Sequence, residues 1–527
     1  MPSVILPAEP SLEQLRRQAR DLQRAVRAAD PAALAEVAGH YPGDAPAGAV
    51  FPLSAAQLVV ARQHGFLSWP RLRRHVEAVQ RYSRFPGRLG AAGDLGGPAG
   101  EFLRRACLSY EDDGPQRWAE ARQLLRDHPE LTRASAPAAA AAADTAALEQ
   151  ILAADPAAAR REGGPYRWKP LVYLAYARHD PAIGRDSVLR AARLLLAAGA
   201  DPNAGYLWHG LPTPFTVLTG ALGEGELGPQ RQPRHPHWRE LGRLLLQAGA
   251  DPSDGQGLYN RQFEPGTEHL ELLLEFGLGT GDGGPWRRRL GDALGTPADE
   301  VRGQLGWAIA HGMADRVRLL AEHGADITTP GADGVTPAGY ATATGHPEIA
   351  GYLVSRGAAP PRLDPAAALA AAALAGRAGE AAALLAADPG LAPAVRRDRP
   401  GLIVWAAAQG APAAAGILAA AGWDVNARGR SDVPSDMPWH TALHAAVEAG
   451  RPDVTRALLA LGADPGLRDQ RFGGTPLDWA RHFGREELIA LLEPVTVEPP
   501  PGEPPPREPP PREPPSSGPE AAPPTRT

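Results

Sequence analysis

Residues 441–492 read TALHAAVEAGRPDVTRALLALGADPGLRDQRFGGTPLDWARHFGREELIALL and contain one pattern twice. In the first copy, Gly450 stands where the end of a helix needs a left-handed backbone, which glycine adopts without strain. Pro452 follows at a position where a new helix can begin without its missing N–H. Four apolar residues then recur at the i, i+3, i+4 and i+7 spacing of one helix face: Val454, Ala457, Leu458 and Leu461. The pattern therefore predicts two short helices per copy, with a glycine between them.

The same unit returns through much of the chain. The turn Gly-Ala-Asp closes it four times, at residues 199–201, 249–251, 324–326 and 462–464. Gly357 stands 33 residues after Gly324. The six residues from Thr441, this turn and the period resemble the ankyrin repeat, whose unit is a turn plus two helices. The resemblance, to ankyrin proteins of bacterial type, implies an all-α solenoid of about eleven units over residues 101–493, with residues 253–300 degenerate.

The segments on either side of the array differ from it in composition. Residues 1–85 lack the repeat pattern, predict four helices and resemble a helical leader of bacterial ankyrin proteins. Capping boxes at Ser11 and Ser54 predict two of the helix starts. Residues 86–100 are rich in Gly, Ala and Pro and predict a linker. Residues 494–527 hold fifteen prolines and predict a disordered tail.

The composition bounds the class of protein. Of 527 residues, 43% are hydrophobic and 22% are charged, with a net charge of −6, which is typical of a folded soluble protein. The single cysteine, Cys107, excludes an intramolecular disulfide and favours a reducing compartment, so we expect a cytoplasmic protein. We expect neither a secretory leader nor a membrane span, because no apolar run is long enough for one. We expect a monomer.

The repeats imply a protein-binding function. One unit cannot bury its own apolar stripe, so the units must stack. The resemblance implies a concave face of first helices and turn tips, which known members use to hold other proteins. Since Trp, Tyr and Arg are enriched in binding hot spots, we expect an unidentified protein partner to contact such residues at turn tips and insertions. The candidates are Tyr206, Trp208, His209, Trp286, Arg287, Trp423, Arg428, Arg430, Trp439, Arg468, Arg471 and Phe472. The alternative for each is packing against the next turn, above all for Trp423, which occupies the alanine position of its turn.

Motifs that would indicate catalysis or a bound cofactor are weak. Residues 279–284 match G-x-G-x-x-G, but a helix is predicted before them and Pro285 follows, so we expect a loop. His440 and His444 are four residues apart, yet no cysteine or carboxylate completes a metal site, and the resemblance implies a structural hydrogen bond for the histidine of this motif. Cys107 lies on an apolar helix and is interpreted as a core residue. We therefore predict a non-catalytic protein without cofactor or metal.

Two alternative functions stay open. Residues 11–84 hold eleven arginines and six acidic residues, and the predicted helices over residues 54–79 have a helix-turn-helix outline. The candidate nucleic-acid contacts are Arg71, Arg73, Arg74 and Arg81. A solvated face of a small helical cap explains the same charges, so nucleic acid is the less favoured partner. An enzyme would build its site from the insertions at residues 223–235 and 430–439. The P-x-x-P pattern of the tail is either a ligand for an aromatic groove or passive.

Overall fold

The computed structural model describes residues 4–46, 50–90, 97–331, 334–429 and 439–496. These residues are mostly helical, with five short strands, which confirms the predicted fold class. The chain divides into two compact units, residues 1–301 and 302–527. Within the described ranges, every helix is too short or too polar to cross a membrane.

The first four helices fold around a hydrophobic core of their own. They are α1 (Leu12–Arg27), α2 (Pro31–His40), α3 (Leu53–Gln63) and α4 (Trp69–Tyr82). Ser11 caps α1 by accepting the N–H of Gln14 at 3.2 Å, which is one of the two hydrogen bonds of the predicted capping box. The predicted capping box at Ser54 is wrong, because α3 begins at Leu53 after Pro52 and places Ser54 inside the first turn.

The rest of the first unit consists of successive short helices. They are α5 (Gly97–Ala106), α6 (Pro115–Asp127), α7 (Ala136–Ala141), α8 (Thr145–Ala154), α9 (Pro170–Tyr176), α10 (Arg185–Ala197), α11 (Val217–Leu222), α12 (Gly228–Arg231), α13 (Trp238–Gln247), α14 (Gly255–Arg261), α15 (Glu268–Glu275) and α16 (Gly284–Leu290). Four 3-10 turns accompany them, at Pro86–Gly90, Pro129–Arg133, Pro156–Arg160 and Gly291–Ala293. The predicted linker thus contains a 3-10 turn and the first residues of α5, and residues 91–96 lie outside the described ranges.

These helices pack in two rows, as stacked helix pairs require. The first helices α5, α7, α9, α11 and α14 contact one another in that order, and the second helices α8, α10, α13 and α15 do the same. In the degenerate stretch, α14 takes the first-helix position, where Asp254 caps it by accepting the N–H of Gly257 at 2.8 Å. Residues 279–284 follow α15, a helix, so the strand that a dinucleotide site needs before its glycines is replaced by a helix.

A small sheet joins the N-terminal helices to the repeats of the first unit. Strand β1 (Ser83–Arg84) follows α4 and pairs in parallel with β2 (Gly205–Trp208), which pairs antiparallel with β3 (Pro214–Thr216). The sequence pattern does not predict these strands. They are too short to show an alternating pattern, and the pairing of β1 with β2 joins residues far apart in the chain.

The second unit repeats the helix-pair pattern. Helix α17 (Pro297–Ala310) contains the boundary between the units. The helices that follow are α18 (Ala314–Glu322), α19 (Pro337–Ala343), α20 (Pro347–Ser355), α21 (Pro365–Leu374), α22 (Ala378–Ala387), α23 (Leu391–Asp398), α24 (Leu402–Ala408), α25 (Pro412–Ala420), α26 (Ala442–Glu448), α27 (Pro452–Ala460), α28 (Pro476–His482) and α29 (Glu486–Leu492). First helices α24, α26 and α28 pack in sequence, and so do second helices α25, α27 and α29.

A two-stranded ribbon precedes the last two repeats. Strands β4 (Arg428–Gly429) and β5 (His440–Thr441) pair antiparallel. The insertion between them, residues 430–438, lies outside the described residues, as do residues 497–527 of the proline-rich tail. The prediction of a disordered tail therefore falls largely on residues that the structure does not describe.

Candidate protein-binding surface

His444 fixes the last two repeats against each other. Its Nδ1 lies 2.8 Å from Oγ1 of Thr441, and its Nε2 lies 3.0 Å from the carbonyl oxygen of Gly474 in the next repeat. Burial lowers the pKa of His444 to about 4, so the ring is neutral at pH 7 and accepts at one nitrogen while it donates at the other. The histidine therefore has the structural role that was expected. Among the described residues, no three metal-binding side chains lie close enough together to hold an ion.

A buried carboxylate shapes the turn before α28. Asp469 accepts the backbone N–H of Arg471 at 2.8 Å, of Phe472 at 2.5 Å and of Gly474 at 2.9 Å, and the indole N–H of Trp479 at 3.1 Å. Only 3% of Asp469 is exposed. Since four donors converge on one carboxylate, the loop from residue 469 to 474 is held in one conformation.

This loop presents an arginine and a phenylalanine beside a tryptophan. The Trp439 and Phe472 rings are nearly perpendicular, at 89°, with centroids 5.6 Å apart. The guanidinium of Arg471 lies 5.9 Å from the Trp439 ring and 5.5 Å from the Phe472 ring, within reach of a cation–π interaction. Arg471 is exposed, and both rings are half-buried.

Two further arginines lie along the same edge. Arg428 of β4 donates from its guanidinium to the carbonyl oxygen of Arg468 at 2.9 Å. Arg468 donates to the carbonyl oxygen of Gly473 at 2.7 Å, across the loop held by Asp469. We call the set of Arg428, Trp439, Arg468, Arg471 and Phe472 the tip surface. The structure thus brings five of the twelve candidates together; Arg430 lies outside the described residues.

Three other candidates are buried. Trp423 is 4% exposed and donates its indole N–H to the carbonyl oxygen of Arg399 at 3.0 Å. It therefore packs inside the protein, which was the alternative to a contact with a partner. Trp286 is 5% exposed and donates to the carbonyl oxygen of Asn203 at 2.9 Å. Tyr206 is 1% exposed within β2. Their side chains therefore face the interior, and we leave them out of the binding surface.

The remaining candidates lie in the first unit, around the β2–β3 hairpin and α16. Trp208 donates its indole N–H to the carbonyl oxygen of Ser109 at 3.2 Å. His209 contacts the carboxylate of Glu111. Arg287 donates to the carbonyl oxygen of Gly295 at 3.1 Å. These contacts tie loops of the first unit together.

Two aromatic residues next to the tip surface, Trp479 and Phe483, are not among the twelve candidates. Trp479 packs 5.4 Å from Trp439 and 6.2 Å from Phe472, ring centre to ring centre. Phe483 lies 6.1 Å from Trp479 and is 42% exposed. The sequence does contain a signal for Trp479. It lies three residues after Pro476, in the first turn of a first helix, and a side chain at this position lies against the tip surface.

The insertion at residues 223–235 serves the packing of the first unit. Glu224 and Arg261 are both almost fully buried and form an ion pair. Arg178, also buried, donates to the carbonyl oxygen of Pro233 at 2.7 Å. Cys107 is fully buried, and burial raises the pKa of its thiol to about 12, so the thiol is protonated at neutral pH. Glu224 of this insertion and Cys107 are therefore both held in the interior.

The four arginines of the nucleic-acid alternative are exposed on α4. Arg73 lies 3.5 Å from Glu77, and Arg81 lies 3.3 Å from Glu162, so carboxylates partly neutralise this face. The carboxyl-terminal part of α4 packs against Leu207 and α16 through Ala78 and Val79. One side of the carboxyl-terminal part of α4 is therefore covered, while the four arginines stay exposed.

A comparison with protein families agrees with the repeats seen in the second unit. The family model described as ankyrin repeats (many copies) matches residues 305–354 and 443–493. Both stretches consist of the paired short helices described above, and both are ankyrin repeats. Proteins built from ankyrin repeats are generally non-enzymatic scaffolds that bind other proteins.

Proposed function

We propose that this protein is a non-catalytic scaffold that binds another protein through the tip surface. The observation that supports the proposal is the pairing of aromatic rings with the exposed Arg471 on a loop that buried Asp469 fixes. Aromatic and arginine side chains contribute most of the energy at protein interfaces. A fixed loop also loses little conformational entropy on binding.

The chemistry of the tip surface favours a particular kind of partner segment. The half-buried rings of Trp439 and Phe472 offer apolar surface for one side chain of a partner. Arg471, beside these rings, suits a carboxylate. The partner is then an extended segment with an apolar residue next to an acidic one. We place the binding in the cytoplasm, because a single cysteine, Cys107, favours a reducing compartment, and we expect a monomer.

Affinity purification from cells of the source organism tests the proposal. The full chain is compared with Arg471→Glu and Phe472→Ala, and with Arg356→Glu as a matched control. Arg356 is exposed at the end of α20 in the same unit, so its charge reversal leaves the tip surface intact. We expect proteins that the full chain and the control retain and that both tip variants lose, by quantitative mass spectrometry. If the four proteins retain the same set, the tip surface is not the binding site.

A further inference from the structure

The chain leaves the last repeat beside the tip surface. Leu488 and Leu492 of α29 share a hydrophobic cluster with Trp479, and Trp439 and Phe472 pack against the same cluster. After α29, the N–H groups of residues 495 and 496 donate to the carbonyl oxygen of Leu492 at 3.1 and 2.9 Å. Residues 497–527 therefore follow a helix that shares one hydrophobic cluster with the rings of Trp439 and Phe472.

These 31 residues have the composition of a ligand for aromatic surfaces. They contain Pro-Pro-Pro-Arg-Glu at 504–508 and again at 509–513. Proline-rich sequences favour the polyproline II helix and bind to grooves lined by aromatic rings at little entropic cost. Extended at about 3.1 Å per residue, the segment reaches roughly 90 Å, whereas packed helices lie only about 10 Å apart. Reach is therefore no obstacle to contact within one chain.

The charges are complementary as well. Residues 497–527 contain five glutamates and three arginines, and each Pro-Pro-Pro-Arg-Glu ends in a carboxylate. The tip surface contributes three arginines, of which Arg468 lies 3.9 Å from the carboxylate of Asp478 and Arg471 is exposed. The glutamate that ends each Pro-Pro-Pro-Arg-Glu, after the arginine of the motif, can thus meet Arg471 beside the rings of Trp439 and Phe472.

We propose that residues 497–527 dock on the tip surface of their own chain, with prolines against Trp439 and Phe472 and the carboxylate of Glu508 or Glu513 against Arg471. The docked tail covers the surface used in the proposed function, but its docking requires no outside partner. A tethered segment has an effective concentration of the order of millimolar. If the isolated contact has a dissociation constant near 0.1 mM, about nine tenths of the molecules are docked, and an outside partner binds about tenfold more weakly. The tail then acts as an intramolecular competitor.

Contact quenching of a dye on the tail tests the proposal in the full chain. Ser517→Cys places one reactive thiol just after the repeated motif, and buried Cys107 stays unlabelled. An oxazine dye on this thiol loses fluorescence when it touches a tryptophan. We expect quenching that does not depend on protein concentration, because the contact is within one chain. Trp439→Phe should raise the emission about twofold or more, and the matched control Trp208→Phe should leave it unchanged.

Charge exchange separates docking from misfolding. Reversal of the tail carboxylates, Glu508→Arg with Glu513→Arg, cannot unfold the repeats and should also raise the emission. Adding Arg471→Glu to that variant should restore the quenching. Emission unchanged by Trp439→Phe and by the tail reversal, or quenching that grows with protein concentration, would overturn the proposal. Because no partner enters this assay, tail docking and partner binding can fail independently.

Discussion

Replacing Asp469 by alanine tests how the tip surface is held. The carboxylate accepts four hydrogen bonds, from Arg471, Phe472, Gly474 and Trp479. Water can reach the N–H groups near exposed Arg471, but Gly474 and Trp479 are buried. Asp469→Ala therefore leaves two buried donors without an acceptor, at about 1–3 kcal/mol each. We expect a loss of about 3 kcal/mol in the local stability of this loop.

Amide hydrogen exchange measured by NMR reports this loss at the loop itself. A local loss of about 3 kcal/mol lowers the protection factor roughly 100-fold at the Gly474 amide and the Trp479 indole. A local probe is appropriate because a repeat array need not unfold in one step. Retention of partners should fall as well, since Arg471 and Phe472 lose their fixed positions.

Asp464→Ala is the matched control. Asp464 is exposed and accepts one N–H, from Gly466 at 2.8 Å, in the turn after α27. Its removal should cost less than about 1 kcal/mol, because water replaces the lost acceptor. Equal protection of Gly474 in the protein and in Asp469→Ala would refute the argument that this carboxylate organises the loop.

Three further predictions concern stability and reactivity. Leu458 is fully buried, so Leu458→Ala should destabilise the last repeats by about 2–5 kcal/mol. Leu461 is 39% exposed, so Leu461→Ala should cost less than about 1 kcal/mol. Urea unfolding followed by Trp fluorescence compares the two variants. The pKa of His444 is about 4 in the folded repeat, against an ordinary 6.5, so the unfolded chain binds the proton first as the pH falls. The free energy of unfolding should therefore fall by roughly 3 kcal/mol in total as the pH drops from 6.5 to 4. An NMR titration of the ring that gave a pKa near 6.5 would contradict this. Cys107, with a thiol pKa of about 12, should react with a thiol reagent only in denaturant, and rapid reaction of the native protein would show that the site opens.

The repeat register could be predicted from the sequence because its signals are local. Gly450 has φ of +64° at the end of α26, and α27 begins at Pro452, as the pattern indicated. The stripe of α27 is buried at Val454 and Leu458, whereas Leu461 is exposed just after the helix. Spacing along one helix face thus predicts which side packs, but not where the packing ends.

The three-stranded sheet and the burial of single aromatics could not be predicted, because both depend on distant residues. Strand β2 forms a local hairpin with β3, and it also pairs with Ser83–Arg84, more than a hundred residues earlier. Trp286 is buried because Tyr82 packs 5.0 Å from its ring and Asn203 accepts its N–H. The sequence around a tryptophan in a turn does not show whether its ring packs against another part of the same chain or binds another protein.

The contrast between Trp286 and Trp439 explains why one turn packs internally and another is offered as a binding surface. In the first unit, the indole N–H of Trp286 donates to the backbone carbonyl of Asn203. Strand β1 pairs with β2 along the edge of the β2–β3 hairpin. In the last repeats, the internal hydrogen bonds converge on buried Asp469, and the loop that it holds leaves Arg471 exposed and Phe472 half-buried. A buried carboxylate that accepts the loop N–H groups fixes the loop without using the side chains of Arg471 and Phe472. Those side chains then remain available for a ligand, and a variant that exchanges the buried acceptor should weaken binding without touching any residue of the tip surface.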